Sequence, residues 1–424
     1  MTLCVAVYAD WDGLPAPYRL GMLRVQHGAG REIFEFEFDS AAIANPAFAN
    51  LHLDPRLGLF EGRQYPQQGS ETFGVFADAS PDRWGRMLIR RRLEREHRTE
   101  KLGKKNRVYE SDYLLGVHDA FRSGALRFRL DDAGEFLDNQ FGLAAPPLIR
   151  LRELEAASLA VERDTDNKAP EGDDLLRILL APGGSLGGAR PKANVEFPDG
   201  QLWIAKFPSD GDEHDCGAWE LLVHTLARKC RLRVPESVAP NFAKSQHRTF
   251  LVKRFDRTPE GKRLHFASAM TLTGRKDGDD HSTGASYLDI ARVLIDHGSQ
   301  TDTDLHEMWS RIVFNVLVSN TDDHLRNHGF ILVPNKGWRL SEAFDMNPAP
   351  GSQGLKLNIN EAENEMDLDL VRSVAPHFRV NISTANAIIE NSQAVVQQWS
   401  IIADNLQIPA REKEELALAF RLAG

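Results

Sequence analysis

The stretch NTDDHLRNHGF, Asn320–Phe330, decides how the rest of this chain is interpreted. It places an acid, Asp322, and an amide, Asn327, five positions apart and directly before an apolar run that is predicted to be a strand. This is the spacing of a kinase catalytic loop, in which the Asp accepts the proton of the attacking hydroxyl and the Asn holds Mg²⁺ against the nucleotide phosphates. Asp and Asn are also common in turns for local hydrogen-bonding reasons, so the motif needs support from elsewhere in the chain.

A second carboxylate follows about eighteen residues later. Asp345 lies in AFDMNP, after the strand-like GWRL, and it is placed to supply a further metal ligand. Two acids and an amide are oxygen ligands of the kind that a hard cation prefers. Phosphoryl transfer is therefore the leading hypothesis.

A glycine-rich loop lies upstream, in GGSLGGARPKA. Glycines allow backbone amides to approach phosphate oxygens closely, and Arg190 and Lys192 add positive charge just beyond them. The segment is not a Walker A motif, because GKS and GKT are absent, and a plain flexible turn is the alternative interpretation. The glycines surround one serine, Ser185: they are Gly183, Gly184, Gly187 and Gly188.

Two predicted strands carry further candidates. Lys206, in WIAKF, is placed like a lysine that contacts the α and β phosphates, and such a lysine needs a carboxylate partner. Glu220 is the nearest candidate for that partner, and Glu213 remains open. Phe255, in FLVKRFDR, would belong to a connection that reads adenine with its backbone and covers the ring with a side chain. An ordinary edge strand with paired surface charges explains the FLVKRFDR segment equally well.

Composition limits the class of protein. The chain has 424 residues, 42% of them hydrophobic and 26% charged, which predicts a folded protein of two or three domains or lobes. The amino terminus lacks a basic region, and no apolar run approaches the roughly eighteen residues of a membrane span, so we expect a cytoplasmic protein without membrane contact. A net charge of −10 opposes general attraction to nucleic acid or anionic membrane.

One local basic region runs against that balance. A helix is predicted through SPDRWGRMLIRRRLEREH, with Ser80 as its cap and Pro81 as its first residue. The charges fall all round this helix, which favours a solvated face over a DNA-binding stripe, although contact with DNA phosphates remains the alternative. Between Arg83 and Arg107 the basic residues are Arg86, Arg90, Arg91, Arg92, Arg95, Arg98, Lys101, Lys104 and Lys105.

The order of predicted elements gives the fold class. Short alternating strands fill the first sixty residues, and helical periodicity dominates the carboxyl part. We predict an α+β, two-lobed protein-kinase-like fold with an additional N-terminal β-rich subdomain and a mainly α-helical C-terminal lobe. The predicted divisions are 1–150, 151–260 with the glycine-rich loop, and 261–424 with the catalytic loop. The polar segment ERDTDNKAPEGDD, which ends at Asp174, is expected to be a surface loop or linker.

Together, GGSLGGARPKA, IAKFP, LVKRFDR, NTDDHLRN and AFDMNP closely resemble the HipA family, the kinase toxins of bacterial type II toxin–antitoxin modules. The resemblance is strong over Gly183–Pro348 and looser towards both ends of the chain. It implies a protein serine/threonine kinase that uses ATP and Mg²⁺ and whose fold is related to eukaryotic-type kinases.

The resemblance also implies residue roles. Asp322 would be the catalytic base, Asn327 and Asp345 the Mg²⁺ ligands, and Lys206 a contact of the nucleotide phosphates. Ser185 would be a site of regulatory autophosphorylation, which adds close to two negative charges to a loop that must embrace ATP and would silence the enzyme. The full nucleotide-binding set implied is Ser185, Gly187, Gly188, Lys206, Phe255 and Asn327.

The chain departs from the family pattern at three positions. Asp323 stands where a neutral residue is common, which leaves two acids as candidates for the base, and the interval to Asn327 favours Asp322. Arg326 stands where the family commonly has a lysine, and Lys253 replaces what is often an acid at the connection between lobes.

The partners that the resemblance implies are a HipB-like helix-turn-helix antitoxin and an unidentified protein substrate. DNA would be bound only indirectly through the antitoxin, because no helix-turn-helix is evident in this chain. A small-molecule phosphotransferase, and a nucleotide-binding corepressor that acts with a DNA-binding antitoxin, are the alternative functions.

Overall fold

The computed structural model describes residues 2–28, 30–99, 107–139, 148–169, 172–183, 188, 190–242 and 245–424. The chain forms two compact units. Unit 1 comprises Met1–Asp212 and Leu251–Ala267, and unit 2 comprises Glu213–Phe250 and Ser268–Gly424. The finer division at residues 150 and 260 stays a prediction.

Unit 1 begins with the predicted antiparallel sheet, which is confirmed. Its strands are β1 (Thr2–Ala9), β2 (Tyr18–Gly28), β3 (Arg31–Phe38) and β4 (Leu126–Arg129). They lie in the order β3-β2-β1-β4, and each neighbouring pair is antiparallel. The alternation of apolar and polar letters puts side chains such as that of Phe36 into the core of the unit.

The helices of unit 1 follow this sheet. They are α1 (Ser40–Ile43), α2 (Gly74–Asp78), α3 (Arg83–Thr99), α4 (Glu110–Leu115), α5 (Leu151–Arg163) and α6 (Gly172–Gly183). The predicted cap of α3 is wrong. Ser80 is buried and its hydroxyl donates to the Phe76 carbonyl at 2.8 Å, so it closes α2 and does not cap α3.

Four arginines of α3 bind neighbouring elements, whereas Arg83, Arg90 and Arg98 are exposed, so the predicted solvated face is confirmed only in part. Arg86 forms an ion pair with Glu110 of α4, and Arg91 donates to the Val161 carbonyl of α5. Arg92 lies 3.4 Å from Asp138. The described part of this basic region is therefore largely occupied with packing, while Lys101, Lys104 and Lys105 lie outside the described residues.

The polar segment before α6 packs more closely than expected. Asn167 is 4% exposed and its amide donates to the Arg91 carbonyl at 3.1 Å. Its φ of +54° is a left-handed conformation that Asn tolerates better than most residues. The prediction of a surface loop or linker is wrong at this position, because the turn is docked on α3; residues 170–171 lie outside the described residues.

Unit 1 also contains the strands that carry Lys206. They are β5 (Lys192–Glu196), β6 (Leu202–Lys206) and β8 (Phe250–Lys253), side by side in that order, with Phe250 at the unit boundary. An Asp-Gly turn joins β5 and β6, and Gly200 has the positive φ of +77° that such a turn needs. Of two further short strands, β7 (Ser237–Val238) belongs to unit 2, and β9 (Phe266–Ser268) lies across the unit boundary.

Unit 2 is mainly helical, as predicted. The helices of unit 2 are α7 (Cys216–Lys229), α8 (Ala269–Leu272), α9 (Tyr287–His297), α10 (Thr301–Leu317), α11 (Leu368–Val374), α12 (Ile382–Val396), α13 (Trp399–Asn405) and α14 (Ala410–Leu416). Its hairpin is β10 (Gly329–Val333) with β11 (Gly337–Leu340), which follows α10 through the loop that contains Asp322. α10 presents a long run of buried side chains and contacts α9, α11, α12 and β11.

The segment TANAIIENSQAVVQQWSIIADN, predicted as helical, is divided into α12 and α13. Among the residues that the structure describes, no helix combines the length and the apolar character needed to cross a bilayer.

Candidate active site

The loop between α10 and β10 holds two adjacent acids in opposite environments. Asp323 is 3% exposed, whereas Asp322 is exposed. The Oδ2 atom of Asp323 accepts hydrogen bonds from the Tyr287 hydroxyl at 2.5 Å, the Asn315 amide at 2.7 Å and Nε2 of His328 at 2.8 Å. Such a carboxylate fixes the backbone of the loop, and its burial keeps it away from a solvent-borne hydroxyl.

The donors around Asp323 come from separate elements. Tyr287 begins α9, Asn315 lies in α10, and His328 ends the loop. Burial first, and then the Asp323 carboxylate, raise the pKa of Tyr287 well above its usual range, so its hydroxyl remains a hydrogen-bond donor at neutral pH. The loop is thereby fixed to α9 and α10 within unit 2.

Asp322 and Asn327 are connected by a side-chain-to-backbone hydrogen bond across the loop. The Asn327 side-chain amide donates to the Asp322 backbone carbonyl at 3.1 Å, and Asn327 is 8% exposed. This bond uses the nitrogen of the amide, which leaves its oxygen as the atom suited to a cation. Between the two residues, Leu325–Asn327 form a single 3-10 turn, which explains how a five-residue interval brings them together.

Asp345 belongs to a segment that is joined to the same loop. The backbone amide of Asn347 donates to Oδ1 of Asn320 at 3.2 Å, and the backbone amide of Ala349 donates to the Ser319 carbonyl at 3.0 Å. Asn320 itself donates to Oδ1 of Asn315 at 3.1 Å. The loop and the segment of Asp345 therefore form one hydrogen-bonded region of unit 2.

The backbone of Asp345 has an unusual conformation. Its φ is +57°, in the left-handed region, and its side chain is half-buried. Asp is one of the few residues with a side chain that visit this region, at a cost of order 1 kcal/mol. A strained acid beside a candidate catalytic loop is a feature of functional sites.

The remaining predicted residues lie in unit 1. Lys206 ends β6 and is half-buried, and in the antiparallel register it lies opposite Lys192, which is 5% exposed. Gly188 has a φ of +85°, which requires glycine, and its carbonyl accepts from the Trp84 amide at 3.1 Å. Ser185 and Gly187 lie outside the described residues.

Phe255 follows β8 and is half-buried, with its ring 6.1 Å from that of Phe266. The charged residues that neighbour Phe255 in sequence do not match the alternative interpretation of paired surface charges. Asp256 is buried and bound to Arg254 at 2.6 Å and to Arg257 at 2.9 Å. Burial alone would raise the pKa of Asp256, but the two guanidinium groups outweigh it and hold that pKa well below its usual range.

The two candidate partners of Lys206 differ in burial. Glu220 lies in α7 and is 5% exposed, whereas Glu213 is exposed. Both belong to unit 2.

Sequence reasoning missed the residues that hold the loop. Asn315 and Asn320, 3% and 1% exposed, connect α10, the loop and the segment of Asp345. The signal for Asn315 was available, because a lone amide inside the apolar run IVFNVLV is a buried polar group that needs partners. Tyr287 gave no comparable signal, since an aromatic residue at helical spacing is usually core.

Comparisons with known proteins identify the family. A family model described as the HipA-like C-terminal domain matches residues 184–399, just over half of the chain. The chain therefore belongs to the HipA-like family. The match contains every predicted site residue, from Ser185 to Asp345.

Two curated relatives are similar to this HipA-like chain. Y4dM of Sinorhizobium fredii, named as a candidate kinase, is 29% identical over 233 residues, which are 50% of this chain and 55% of that protein. A candidate kinase of Haemophilus influenzae is 32% identical over 179 residues, which are 38% of this chain and 52% of that protein. The chain thus spans about half the length of these relatives.

A solved structure extends the likeness to the fold. The Shewanella oneidensis MR-1 toxin–antitoxin system HipA, HipB and its operator DNA complex matches with a TM-score of 0.61 at 15% identity. The match covers 99% of this chain and 95% of that chain. The predicted α+β, protein-kinase-like fold class is confirmed.

Proposed function

We propose that the protein is an ATP- and Mg²⁺-dependent protein serine/threonine kinase that acts as the HipA-like toxin of a type II toxin–antitoxin module. The observation that carries the proposal is the hydrogen-bonded region of unit 2. There, an exposed acid, an oriented amide and the segment of a second acid are held together by buried asparagines. Phosphoryl transfer needs mainly positioning and charge stabilisation, which such an arrangement supplies.

Asp322 is proposed as the base. Its exposure leaves the carboxylate accessible to a substrate hydroxyl, and its backbone carbonyl is fixed by Asn327. Asp323 is assigned a positioning role, because its Oδ2 atom is buried under the three donors from Tyr287, Asn315 and His328. General-base assistance of this kind contributes roughly 10²–10⁴-fold to rate.

Asn327 and Asp345 are proposed to hold Mg²⁺. Within the described residues no group of three or more His, Cys, Asp or Glu side chains is arranged around a metal position. Mg²⁺ fits a sparser donor set, because it is commonly held by one or two carboxylates together with substrate phosphates and water. When bound, the ion would neutralise charge on the transferring phosphoryl group.

Residues of unit 1 are proposed to bind ATP. Lys206 would contact the phosphates, Ser185, Gly187 and Gly188 would belong to the loop that covers them, and Phe255 would cover adenine. Glu220 and Glu213 both stay candidates for the carboxylate that pairs with Lys206.

The proposed partner is a helix-turn-helix antitoxin of the HipB kind, by analogy with the Shewanella oneidensis complex, which holds HipA with HipB and operator DNA. DNA contact would be indirect, since most of the described arginines of α3 are engaged in packing. Autophosphorylation of Ser185 is proposed to silence the kinase, because a doubly charged group on the loop would repel ATP phosphates.

The test is transfer of labelled phosphate from γ-labelled ATP in the presence of Mg²⁺, to the protein itself and to proteins of a bacterial lysate. We expect labelling by the wild type, none by Asp322→Ala, and loss of self-labelling alone in Ser185→Ala. Sugars and aminoglycosides are included as acceptors. The proposal would be overturned by equal labelling in the wild type and in Asp322→Ala, or by ATP turnover that only a small molecule stimulates.

A further inference from the structure

The start of α3 is bonded to the closing end of the glycine-rich loop. The Gly188 amide donates to Oδ2 of Asp82 at 2.7 Å, and the Trp84 amide donates to the Gly188 carbonyl at 3.1 Å. The Trp84 indole donates to the Lys192 carbonyl at 3.0 Å. The amide and the carbonyl of Gly188, and the carbonyl of Lys192 at the start of β5, are thus held by Asp82 and Trp84 at the beginning of α3.

These bonds lie in a tightly packed part of unit 1. Trp84 is 3% exposed and Lys192 is 5% exposed. The φ of +85° at Gly188 disfavours residues other than glycine, and a Cβ there would lie 2.6 Å from Nζ of Lys192, at the flexible end of that side chain. The chain passes through Gly188 in a conformation that the surrounding contacts determine.

The other side of this segment is fixed by β6 and the turn that follows it. Arg190 forms an ion pair with Asp212 and donates from Nε to the Phe207 carbonyl at 3.3 Å. The Phe207 amide in turn donates to the Pro191 carbonyl at 2.9 Å. Residues 190–192 therefore have partners on the β-sheet side, whereas Gly188 depends on α3 for the bonds described.

We propose that Asp82 and Trp84 are positioning residues for nucleotide binding, which hold Gly188, at the closing end of the glycine-rich segment, in a fixed conformation before ATP arrives. This inference rests on the proposed kinase function. A residue that is already fixed loses less conformational entropy when a ligand binds beside it, which strengthens binding without new contacts. The carboxylate–amide bond is charge-assisted and therefore among the stronger bonds of its kind.

The role predicts a graded series of variants. Asp82→Ala removes the acceptor of the Gly188 amide, and we expect the KM for ATP to rise about tenfold with kcat within about twofold. Asp82→Asn keeps one acceptor oxygen and should raise KM only about threefold. Trp84→Phe keeps the ring in the core but removes the donor to Lys192, so an intermediate rise is expected. Arg83→Ala, an exposed neighbour in the same helical turn, is the matched control.

A readout independent of activity separates this inference from the proposed function. Hydrogen–deuterium exchange over peptides that contain Gly188 is measured on the full chain without nucleotide. Exchange should accelerate in Asp82→Ala more than in Asp82→Asn, and it should be unchanged in Arg83→Ala. Binding of a fluorescent ATP analogue should weaken in the same order, while thermal unfolding identifies any variant that fails to fold.

Each outcome decides the matter. Unchanged exchange at Gly188 and unchanged analogue affinity in a folded Asp82→Ala protein would overturn the positioning role, even if the wild type is an active kinase. Faster exchange at Gly188 in Asp82→Ala, together with a wild type that binds no nucleotide, would retain the anchor but overturn its proposed purpose. If Trp84→Phe does not fold, the Asp82 pair of variants is decisive by itself.

Discussion

The loop Asn320–His328 in unit 2 and the segment Gly188–Lys192 in unit 1 are both candidate parts of a phosphoryl-transfer site, but they are held in different ways. The first is fixed partly from inside, since Asp323, Asn327 and His328 belong to the motif itself, and partly by donors from α9 and α10. The second is fixed at Gly188 by Asp82, which lies 106 positions earlier in the chain. Anchors that belong to the motif itself can be recognised from sequence, whereas anchors supplied by distant helices cannot.

The first prediction tests the division of labour between the two neighbouring acids. Asp322→Asn should lower phosphoryl transfer by on the order of 10³-fold, because the base is lost. Its free energy of unfolding should stay within about 0.5 kcal/mol of the wild type, because the side chain is exposed. Kinase assays and urea denaturation of the same preparation check both statements, and activity near the wild-type level would remove Asp322 from its proposed role.

The second prediction concerns the internal anchor. Asp323→Ala leaves the Tyr287 hydroxyl, the Asn315 amide and the His328 ring buried without their shared acceptor. We expect the free energy of unfolding to fall by on the order of 3 kcal/mol. Urea denaturation measures it, with Asp322→Ala as the neighbouring control. A loss as small as that of the control would mean that the loop is held by something other than this network.

The sequence allowed much of unit 2 to be predicted for a physical reason. Acid and amide spacing, strand alternation and helical periodicity are local properties, so β10, β11 and the helices were found. The environment of Asp323 was not local, because its donors Tyr287 and Asn315 lie on two other helices. Spacing alone favoured Asp322 as the base, and burial now supplies an independent physical argument for the same choice.

Unit 1 shows where local reasoning failed. Ser80, Pro81 and Asp82 read as the cap and first turn of a helix, whereas Ser80 closes α2 and the Asp82 carboxylate binds Gly188. In the sequence, Arg254 and Asp256 fitted a pair of surface charges as well as they fitted a nucleotide-binding connection, yet the two side chains are buried against each other. Polarity in a sequence does not reveal burial when the partner that compensates for it lies far away along the chain.

The third prediction uses pH to examine the packing of unit 1. His265 is 2% exposed and its ring stacks on Trp11 with centroids 5.5 Å apart. Burial lowers the pKa of His265 to about 3, so the folded protein stays unprotonated there while the unfolded chain takes up a proton below about pH 6.5. The unfolded state then binds more protons, and stability falls as pH falls through this range.

Between pH 6.5 and pH 5 this one group should lower the free energy of unfolding by about 2 kcal/mol. Comparing the pH dependence of chemical denaturation in the wild type and in His265→Gln measures the effect, since the variant should lose that part of the slope. His377→Gln, at an exposed histidine, serves as the control. An unaltered slope in His265→Gln would show that the ring is accessible to protons in the folded state.

The smallest predicted effect tests whether α3 acts as one rigid support. Arg95 donates to Asn167 at 2.7 Å and to Asp164 at 3.2 Å and is largely buried, so Arg95→Ala should cost about 1–2 kcal/mol of stability. Arg90 is exposed and lies 3.9 Å from Glu94, so Arg90→Ala should change stability by less than about 0.5 kcal/mol.

Neither change should alter hydrogen–deuterium exchange at Gly188, because the bonds from Asp82 and Trp84 lie at the opposite end of the helix and are kept. The two arginine variants are therefore measured for stability and for exchange in parallel. Faster exchange at Gly188 in Arg95→Ala would mean that the docking of the whole helix, and not its first turn alone, orders the loop. The contrast between the two loops would then be sharper, because the anchor in unit 1 would extend to the turn at Asn167.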